Sequence, residues 1–259
     1  MQVSNNICGV ILAAGLGSRM GELSKRCPKP LQKVGSVPII SHQLSYMRKL
    51  GISEVIIVVN YLSKMIEEYL GDGGKHELHI KYVRQEERLG IAHAVGQLEE
   101  LIDRPFLLFL GDIFFIPNNL NRMFEIFYKN NASSVLAVRR ETNPEEIQKS
   151  FAVILHANGM VRRVIEKPRF IPTDRKGCGI YLFDTVIFDA IRQTPRTAMR
   201  DEYEITTTIQ KLIDFGQPVY DAEVVEWDIN VTFPSDLIKC NEKLLTSNYK
   251  LLNNEVPSL

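Results

Sequence analysis

The sequence predicts an α/β protein, a central sheet covered by helices on both faces, on three observations. Residues 7–12, 54–59 (apolar after its leading Glu54) and 106–110 are runs without the polar alternation of a strand that has one face in water. Between them lie stretches whose apolar residues recur at spacings of three and four, the mark of helices with one buried stripe. The chain has 259 residues, 45% of them hydrophobic, enough for a large core. Strand and helix alternate through the first half in the order of a parallel, doubly wound sheet.

Taken in order, the first run, Ile7-Cys8-Gly9-Val10-Ile11-Leu12, reads as a buried strand that leads straight into a turn of small residues. Val37-Pro38-Ile39-Ile40 opens a helix with Ile40, Leu44, Met47 and Leu50 on one face, stopped by Gly51. The β-branched run 54–59 is a second buried strand. Residues 62–70 are helical in pattern and are broken by Gly71-Asp72-Gly73-Gly74. Leu78, Ile80 and Tyr82 alternate with polar residues, as in a less buried strand, and a helix over 91–102 precedes the strand 106–110.

Beyond Asp112 the pattern loosens. A helix over 120–128 precedes a strand at 134–138, and strands at 151–155 and 161–165 flank Ala157-Asn158-Gly159 as a hairpin. A polar loop at 169–176 leads to a strand at 178–183, helices at 186–192 and 203–215, a last strand at 219–225 and a closing helix at 234–245. No linker, repeat or low-complexity stretch interrupts this. The chain reads as one domain, 1–259, in two lobes, a first over 1–112 and a second over 113–235, followed by a closing helix and tail over 236–259.

Formal net charge is zero, with no basic tail or stripe, which argues against nucleic acid as a partner. The start carries neither a charged region nor an apolar signal stretch, and no run is long enough to span a bilayer, so a cytoplasmic location is expected. The four cysteines, Cys8, Cys27, Cys178 and Cys240, are scattered and form neither a zinc pattern nor a disulfide framework. Neutral composition leaves a homo-oligomer open.

The chemistry-bearing stretch is Leu12-Ala13-Ala14-Gly15-Leu16-Gly17-Ser18-Arg19-Met20. Gly15 and Gly17 remove side chains where backbone N–H groups would approach a ligand, and Arg19 brings a permanent forked cation to the same place. Cys27-Pro28-Lys29-Pro30-Leu31 adds a second cation in a segment stiffened by two prolines. Bare N–H groups and two cations after a strand are suited to several phosphates. The dinucleotide fingerprint fails because its third glycine is Met20, and no Gly-Lys-Ser/Thr of a P-loop occurs. Asp112 follows five apolar residues, at the carboxyl end of a strand, where open α/β sheets bind ligands. Its carboxylate suits magnesium, which needs only one or two protein carboxylates.

Leu-Ala-Ala-Gly-x-Gly-x-Arg-Met followed by Pro-Lys-Pro-Leu resembles the signature of the sugar-phosphate nucleotidyltransferases, the glucose-1-phosphate thymidylyl- and uridylyltransferases among them. The resemblance covers most of the chain. It departs at Glu22-Leu23-Ser24, where the family often has Pro-Leu-Thr. It implies the nucleotide-diphospho-sugar transferase fold, a Rossmann-like mixed central sheet, with a nucleotide-binding lobe over 1–112 and a sugar-phosphate-binding lobe over 113–235, and a magnesium-dependent enzyme. The reaction implied joins a nucleoside triphosphate to a sugar-1-phosphate with release of pyrophosphate, dTTP or UTP being favoured. Arg19, Lys29 and Asp112 would be catalytic, with Leu12, Ala13, Ala14, Gly15, Gly17, Ser18, Arg19, Gln85 and Gly90 on the nucleotide. Gln85 and Gly90 would meet the base, an amide pairing with a pyrimidine edge. Glu166-Lys167-Pro168 resembles the family's Glu-Lys-Pro, the glutamate on sugar hydroxyls and the lysine on the sugar phosphate. Gly179 and Tyr181 belong to a strand expected against the sugar. Asp112 would hold magnesium with Asn230, or with Asp228 as the alternative. His93 reads as ordinary helix surface or packing. Two other readings keep part of this picture: a cytidylyl- or guanylyltransferase acting on another phosphorylated acceptor such as phosphocholine, and a non-catalytic nucleotide-sugar-binding regulator.

Overall fold

A computed structural model describes residues 6–198 and 201–247. The first five residues and the expected tail over 248–259 lie outside the described residues.

Strand β1 (Cys8–Leu12) is followed by a short helix α1 (Glu22–Arg26) and a small ribbon of β2 (Lys33–Val34) and β3 (Val37–Pro38). Next come α2 (Ile39–Lys49), β4 (Glu54–Val59), α3 (Ser63–Leu70), β5 (His79–Arg84), α4 (Ile91–Gly96) and β6 (Phe106–Leu110). The four long strands run parallel in the order β5-β4-β1-β6, with Val10 beside Ile56 on one side and Leu108 on the other. Alternate residues of β1 enter different cores. Ile11 joins the side covered by Ile40, Leu44 and Met47 of α2, and Val10 joins the side covered by Ala92 and Val95 of α4. That two-sided burial is why these strands lack polar alternation. Gly9 lets α2 lie close to the sheet, since a Cβ there would stand 2.7 Å from Met47 Sδ.

The second half adds β7 (Ile113–Pro117), α5 (Asn121–Lys129), β8 (Ser134–Arg140), α6 (Pro144–Gln148), β9 (Phe151–Leu155), β10 (Val161–Glu166) and β11 (Arg175–Phe183). It ends with α7 (Ile187–Arg192), α8 (Ile205–Asp214), β12 (Val219–Glu223), β13 (Val225–Asn230) and α9 (Pro234–Thr246). β11 pairs antiparallel with β6, β8 antiparallel with β11, and β12 parallel with β8. The β9–β10 hairpin continues the sheet past the start of β11, where Lys176 pairs with Ala152. The result is the expected α/β fold, a mixed, mostly parallel central sheet flanked by helices. No described helix is long and apolar enough to cross a membrane.

Four departures from the sequence expectations matter for the site. Residues 113–117, where the pattern loosens, form β7, which leaves the main sheet and pairs antiparallel with β13. The single last strand is two: β12 stays in the main sheet, whereas β13 crosses to β7 and sets Asn230 opposite Ile113. β11 begins at Arg175, inside the expected polar loop, because Arg175 and Lys176 are neutralised there by Asp221 and Asp228. The helix expected over 91–102 ends at Gly96, where a Cβ would press on Ile191 of α7 at 3.0 Å.

Candidate active site

Two adjoining compartments open at the carboxyl ends of the parallel strands, the larger of about 760 Å³ and the smaller of about 400 Å³. Both are lined by Gly15, Leu16, Lys29, Asp112 and Glu202. The turn after β1 forms the wall between them. Ala13 N–H donates to the Val58 carbonyl at 2.7 Å, which fixes the start of the turn on β4. Gly15 faces open space, with no atom within 4 Å of a built Cβ. Gly17 has φ of 65° and leaves room for the Lys29 stem, which a Cβ would meet at 2.9 Å. The tight turn Ser18–Met20 then splits its neighbours, with Met20 buried and Arg19 exposed on the larger compartment. The departing segment Glu22-Leu23-Ser24 folds into α1, whose buried Ser24 donates to the Gly21 carbonyl at 3.0 Å.

Lys29 starts a tight turn after Pro28 and carries its Nζ to 3.3 Å from Asp112 Oδ2. The lysine side chain is mostly buried and the aspartate half-exposed. Asp112 sits in the corner between β6 and β7, and every flank of that corner is tied. Gly111 N–H donates to the Leu12 carbonyl at 2.9 Å, and Val231 N–H donates to the Asp112 carbonyl at 2.8 Å. The buried Gln43 amide of α2 donates to the carbonyls of Leu110 and Ile113, both at 2.9 Å. A carboxylate on so constrained a corner is pre-positioned, which reduces the reorganisation a reaction would otherwise require. Gln43 escaped the sequence analysis, although a polar residue on the apolar face of a helix is a visible signal.

The smaller compartment is lined by Leu12, Ala13, Ala14, Gln85 and Gly90. Gly90 adopts φ of 109°, and its tight neighbour is protein: a Cβ there would lie 2.6 Å from the Tyr203 carbonyl oxygen. The glycine is therefore required by the chain crossing at Tyr203, whose N–H donates to Leu89 and whose carbonyl accepts from Ala92. His93, read as surface or packing, has two specific neighbours: Gln85 Nε2 at 3.3 Å from its Nδ1, and the Tyr203 ring stacked on it.

The larger compartment is lined by six cationic side chains, Arg19, Lys29, Lys149, Lys167, Lys176 and Lys239, against the carboxylates of Asp112, Glu146, Glu202 and Asp236. Ser18 and Asn230 line it too. Lys167 holds a left-handed backbone, φ 42°, and its N–H donates to the Ser150 carbonyl at 2.8 Å. Glu166 lines neither compartment; its Oε2 accepts from Thr206 Oγ1 at 3.3 Å and its Oε1 is 3.8 Å from Lys167 Nζ. Gly179, φ 68°, packs its Cα side toward Leu110 and Ile113. Tyr181, expected among the sugar-phosphate residues on a strand against the sugar, lines neither compartment: it is 1% exposed and stacked with Phe151 and Phe183 in the core. Burial pushes its hydroxyl well above the usual phenol range.

Asp228, the alternative metal ligand, is also corrected by its surroundings. It is 3% exposed, and its two oxygens accept from Arg139 Nε at 2.6 Å and Lys176 Nζ at 2.5 Å. Arg139 is in turn 2.5 Å from Glu141. Burial opposes the charge on Arg139, but Asp228 and Glu141 outweigh it and raise its pKa above the ordinary value. Sequence inspection had no means of finding this group, because its members come from β8, β11 and β13. Among the described residues no cluster of three or more His, Cys, Asp or Glu side chains could hold a metal by itself.

The nucleotidyl transferase family model matches residues 8–247. A low-salt glycan biosynthesis nucleotidyltransferase of Haloferax volcanii is 31% identical over 92% of this chain and 66% of its own length. The chain thus spans about two thirds of that relative. A UTP–glucose-1-phosphate uridylyltransferase of the same organism is 30% identical over 91% of this chain and 95% of its own length. In shape, the chain is similar to a Bacillus anthracis protein described as a glucose-1-phosphate thymidylyltransferase and crystallised with sucrose. That match has a TM-score of 0.82 and 23% identity, and covers 94% of this chain and 97% of the other. The glycine turn after β1, the tied aspartate corner after β6 and a family match across nearly all described residues lead to one conclusion: this chain belongs to the nucleotidyl transferase family.

Proposed function

We propose that this protein transfers a nucleoside monophosphate from UTP or dTTP to a sugar-1-phosphate, giving a nucleoside-diphospho-sugar and pyrophosphate. The observation that carries the reading is the seam between the two compartments. Gly15, Lys29 and Asp112 stand on that seam, with Arg19 on the larger side, so a triphosphate could lie across it with its base in the smaller space. The 30% identical uridylyltransferase supports a uridine nucleotide.

In this mechanism an acceptor phosphate oxygen attacks the α-phosphorus as the bond to the bridging oxygen of the β-phosphate breaks, and that oxygen leaves with the pyrophosphate. Two polyanions must approach, so charge relief and alignment supply most of the catalysis. Arg19 holds the leaving pyrophosphate, Lys29 the reacting phosphates and Lys167 the acceptor phosphate. At about 4 Å and an effective dielectric near 20, each such contact is worth roughly 4 kcal/mol before desolvation. Asp112 and Asn230 fit magnesium in kind, a carboxylate and an amide oxygen on adjoining strand ends that leave other positions to phosphate oxygens and water. When bound, magnesium supplies further charge neutralisation on the phosphates. Until phosphates arrive, Lys29 neutralises Asp112, and an incoming triphosphate offers the lysine a second anion.

The test is pyrophosphate release from each common triphosphate paired with a panel of sugar-1-phosphates, the products identified by mass spectrometry. Pyrophosphate with UTP or dTTP and one or more of the sugars is expected. No release from any pair would overturn the reading.

A further inference from the structure

We infer that Gln43 is a positioning residue for the reaction: its amide fixes the angle at which β7 leaves the main sheet, and with it the setting of the Asp112 carboxylate against Asn230 and Lys29. The inference deepens the proposed function and rests on it for the use made of those side chains. Asp112 lies between strands of two different sheets. Leu110 closes β6, one residue beyond the last pair that β6 makes with β11, Phe109 with Ile180. Ile113 opens β7 opposite Asn230 of β13. Gln43 Nε2 donates to the carbonyls of both Leu110 and Ile113 at 2.9 Å. One group from α2 therefore ties the end of one strand to the start of the other, with Asp112 between them.

The orientation of this amide is determined by its partners. A carbonyl oxygen only accepts, so both contacts require the nitrogen, and its two hydrogens serve the two carbonyls; turned over, Oε1 would face two other oxygens. Gln43 is 1% exposed, and among the described residues its Oε1 has no hydrogen-bond partner. An unpaired buried acceptor is costly. The buried neighbours of Gln43 along α2 are Ile40, Leu44 and Met47, so an apolar side chain would suit the packing without that cost. What it would not supply is the two donors. The corner is otherwise tied to its own strands: a Cβ at Gly111 would lie 2.6 Å from the Leu12 carbonyl oxygen, and Val231 N–H donates to the Asp112 carbonyl at 2.8 Å. Gln43 adds a tie from outside both sheets.

Without its donors the corner can open, and Asp112 turns relative to Asn230 on β13 and to Lys29. Magnesium demands near-ideal octahedral geometry, so a carboxylate and an amide oxygen at the wrong separation are poor ligands even with the phosphates in place. A misplacement of about 1 Å at a reacting centre is enough for roughly a 100-fold loss of rate.

The experiment compares wild type with Gln43→Met, which keeps the length of the side chain and removes both donors, and with Tyr46→Phe. Tyr46, one turn further along α2, donates to the Phe115 carbonyl at 3.2 Å, so its loss removes a tie from the same helix to β7 beyond the corner. Each protein is read by amide exchange without metal, by calorimetry of the tightest-binding of UTP, dTTP, GTP, CTP and ATP with and without magnesium, and by steady-state kinetics. In Gln43→Met, exchange at Gly111 and Val231 should rise about tenfold or more, and nucleotide affinity in chelator should stay within about twofold of wild type. Magnesium should tighten nucleotide binding about tenfold or more in wild type, and that factor should fall at least about fivefold in Gln43→Met. Its kcat should fall about 10- to 100-fold, with KM for either substrate within about threefold. Tyr46→Phe should match wild type throughout. Equal effects in the two variants would make Gln43 a packing residue and overturn the inference. So would an unchanged magnesium factor in Gln43→Met, or none in wild type. If Gln43→Met does not fold, Gln43→Asn, one methylene shorter, withdraws the donors and must show the same pattern. Gln43-dependent exchange and magnesium linkage in a protein that turns over no substrate pair would sink the proposed reaction alone. Normal turnover in wild type, with Gln43→Met indistinguishable from it, would sink this inference alone.

Discussion

Asp228→Asn should unfold this protein far more easily while preserving the shape of the side chain. Lys176 and Arg139 are direct cross-strand partners, with 4% and 9% exposure. Like charges so placed repel, and Asp228 from β13 is the carboxylate that bonds both. Removing one member of a buried ion-paired group costs about 3–5 kcal/mol, because the partners keep their desolvation penalty. Arg139 still has Glu141 at 2.5 Å, so the uncompensated charge falls mainly on Lys176. For a chain of this size each kcal/mol lowers Tm by about 2–4 °C, so a loss of about 4 kcal/mol corresponds to about 8–16 °C. Denaturant and thermal unfolding would measure it. The double variant Asp228→Asn/Lys176→Met removes the stranded charge and should recover more than half of the loss, a coupling that additive sites do not show. A single-variant loss under about 1 kcal/mol, with no recovery in the double variant, would refute the argument.

Arg19→Ala should lower turnover by about 100-fold or more, the scale of one lost preorganised contact, with little change in unfolding because the arginine is exposed; near-normal turnover would remove the β1 turn from the reacting centre. Lys167→Ala should raise KM for the sugar phosphate much more than for the nucleotide, and calorimetry with nucleotide alone should show little loss. Asp112→Asn should cost more activity than Asn230→Ala, and Asn230→Asp should stay active; magnesium should bind the free protein weakly and more tightly with nucleotide present, a linkage readable by titration. Gly90→Ala combines φ of 109° with a 2.6 Å clash on the Tyr203 carbonyl and should loosen the 201–204 crossing, seen as faster amide exchange at Tyr203 and Ala92.

The sequence by itself determined the parts of this protein that are local. Uninterrupted apolar runs specify strands buried on both faces, and the residues around Gly15, Gly17 and Arg19 make one turn and those around Lys29 another, each with a geometry that depends on near neighbours. Asp112 could be placed at a strand end because five apolar residues precede it. Tertiary structure alone decided what each polar group meets across long separations. A run such as Ile113-Phe114-Phe115-Ile116 carries no mark of leaving the main sheet, yet its pairing with β13 brings Asn230 to the cleft and turns Asp228 inward. Arg175 and Lys176 read as loop because isolated charges oppose a buried strand, and they join one only because Asp221 and Asp228, about fifty residues on, neutralise them. Tyr181 and Gly90 are explained by Phe151 and Tyr203 in the same way. A local motif specifies the charges a site contains; strand register and packing decide which of them stay available to a ligand and which are used to hold the fold together.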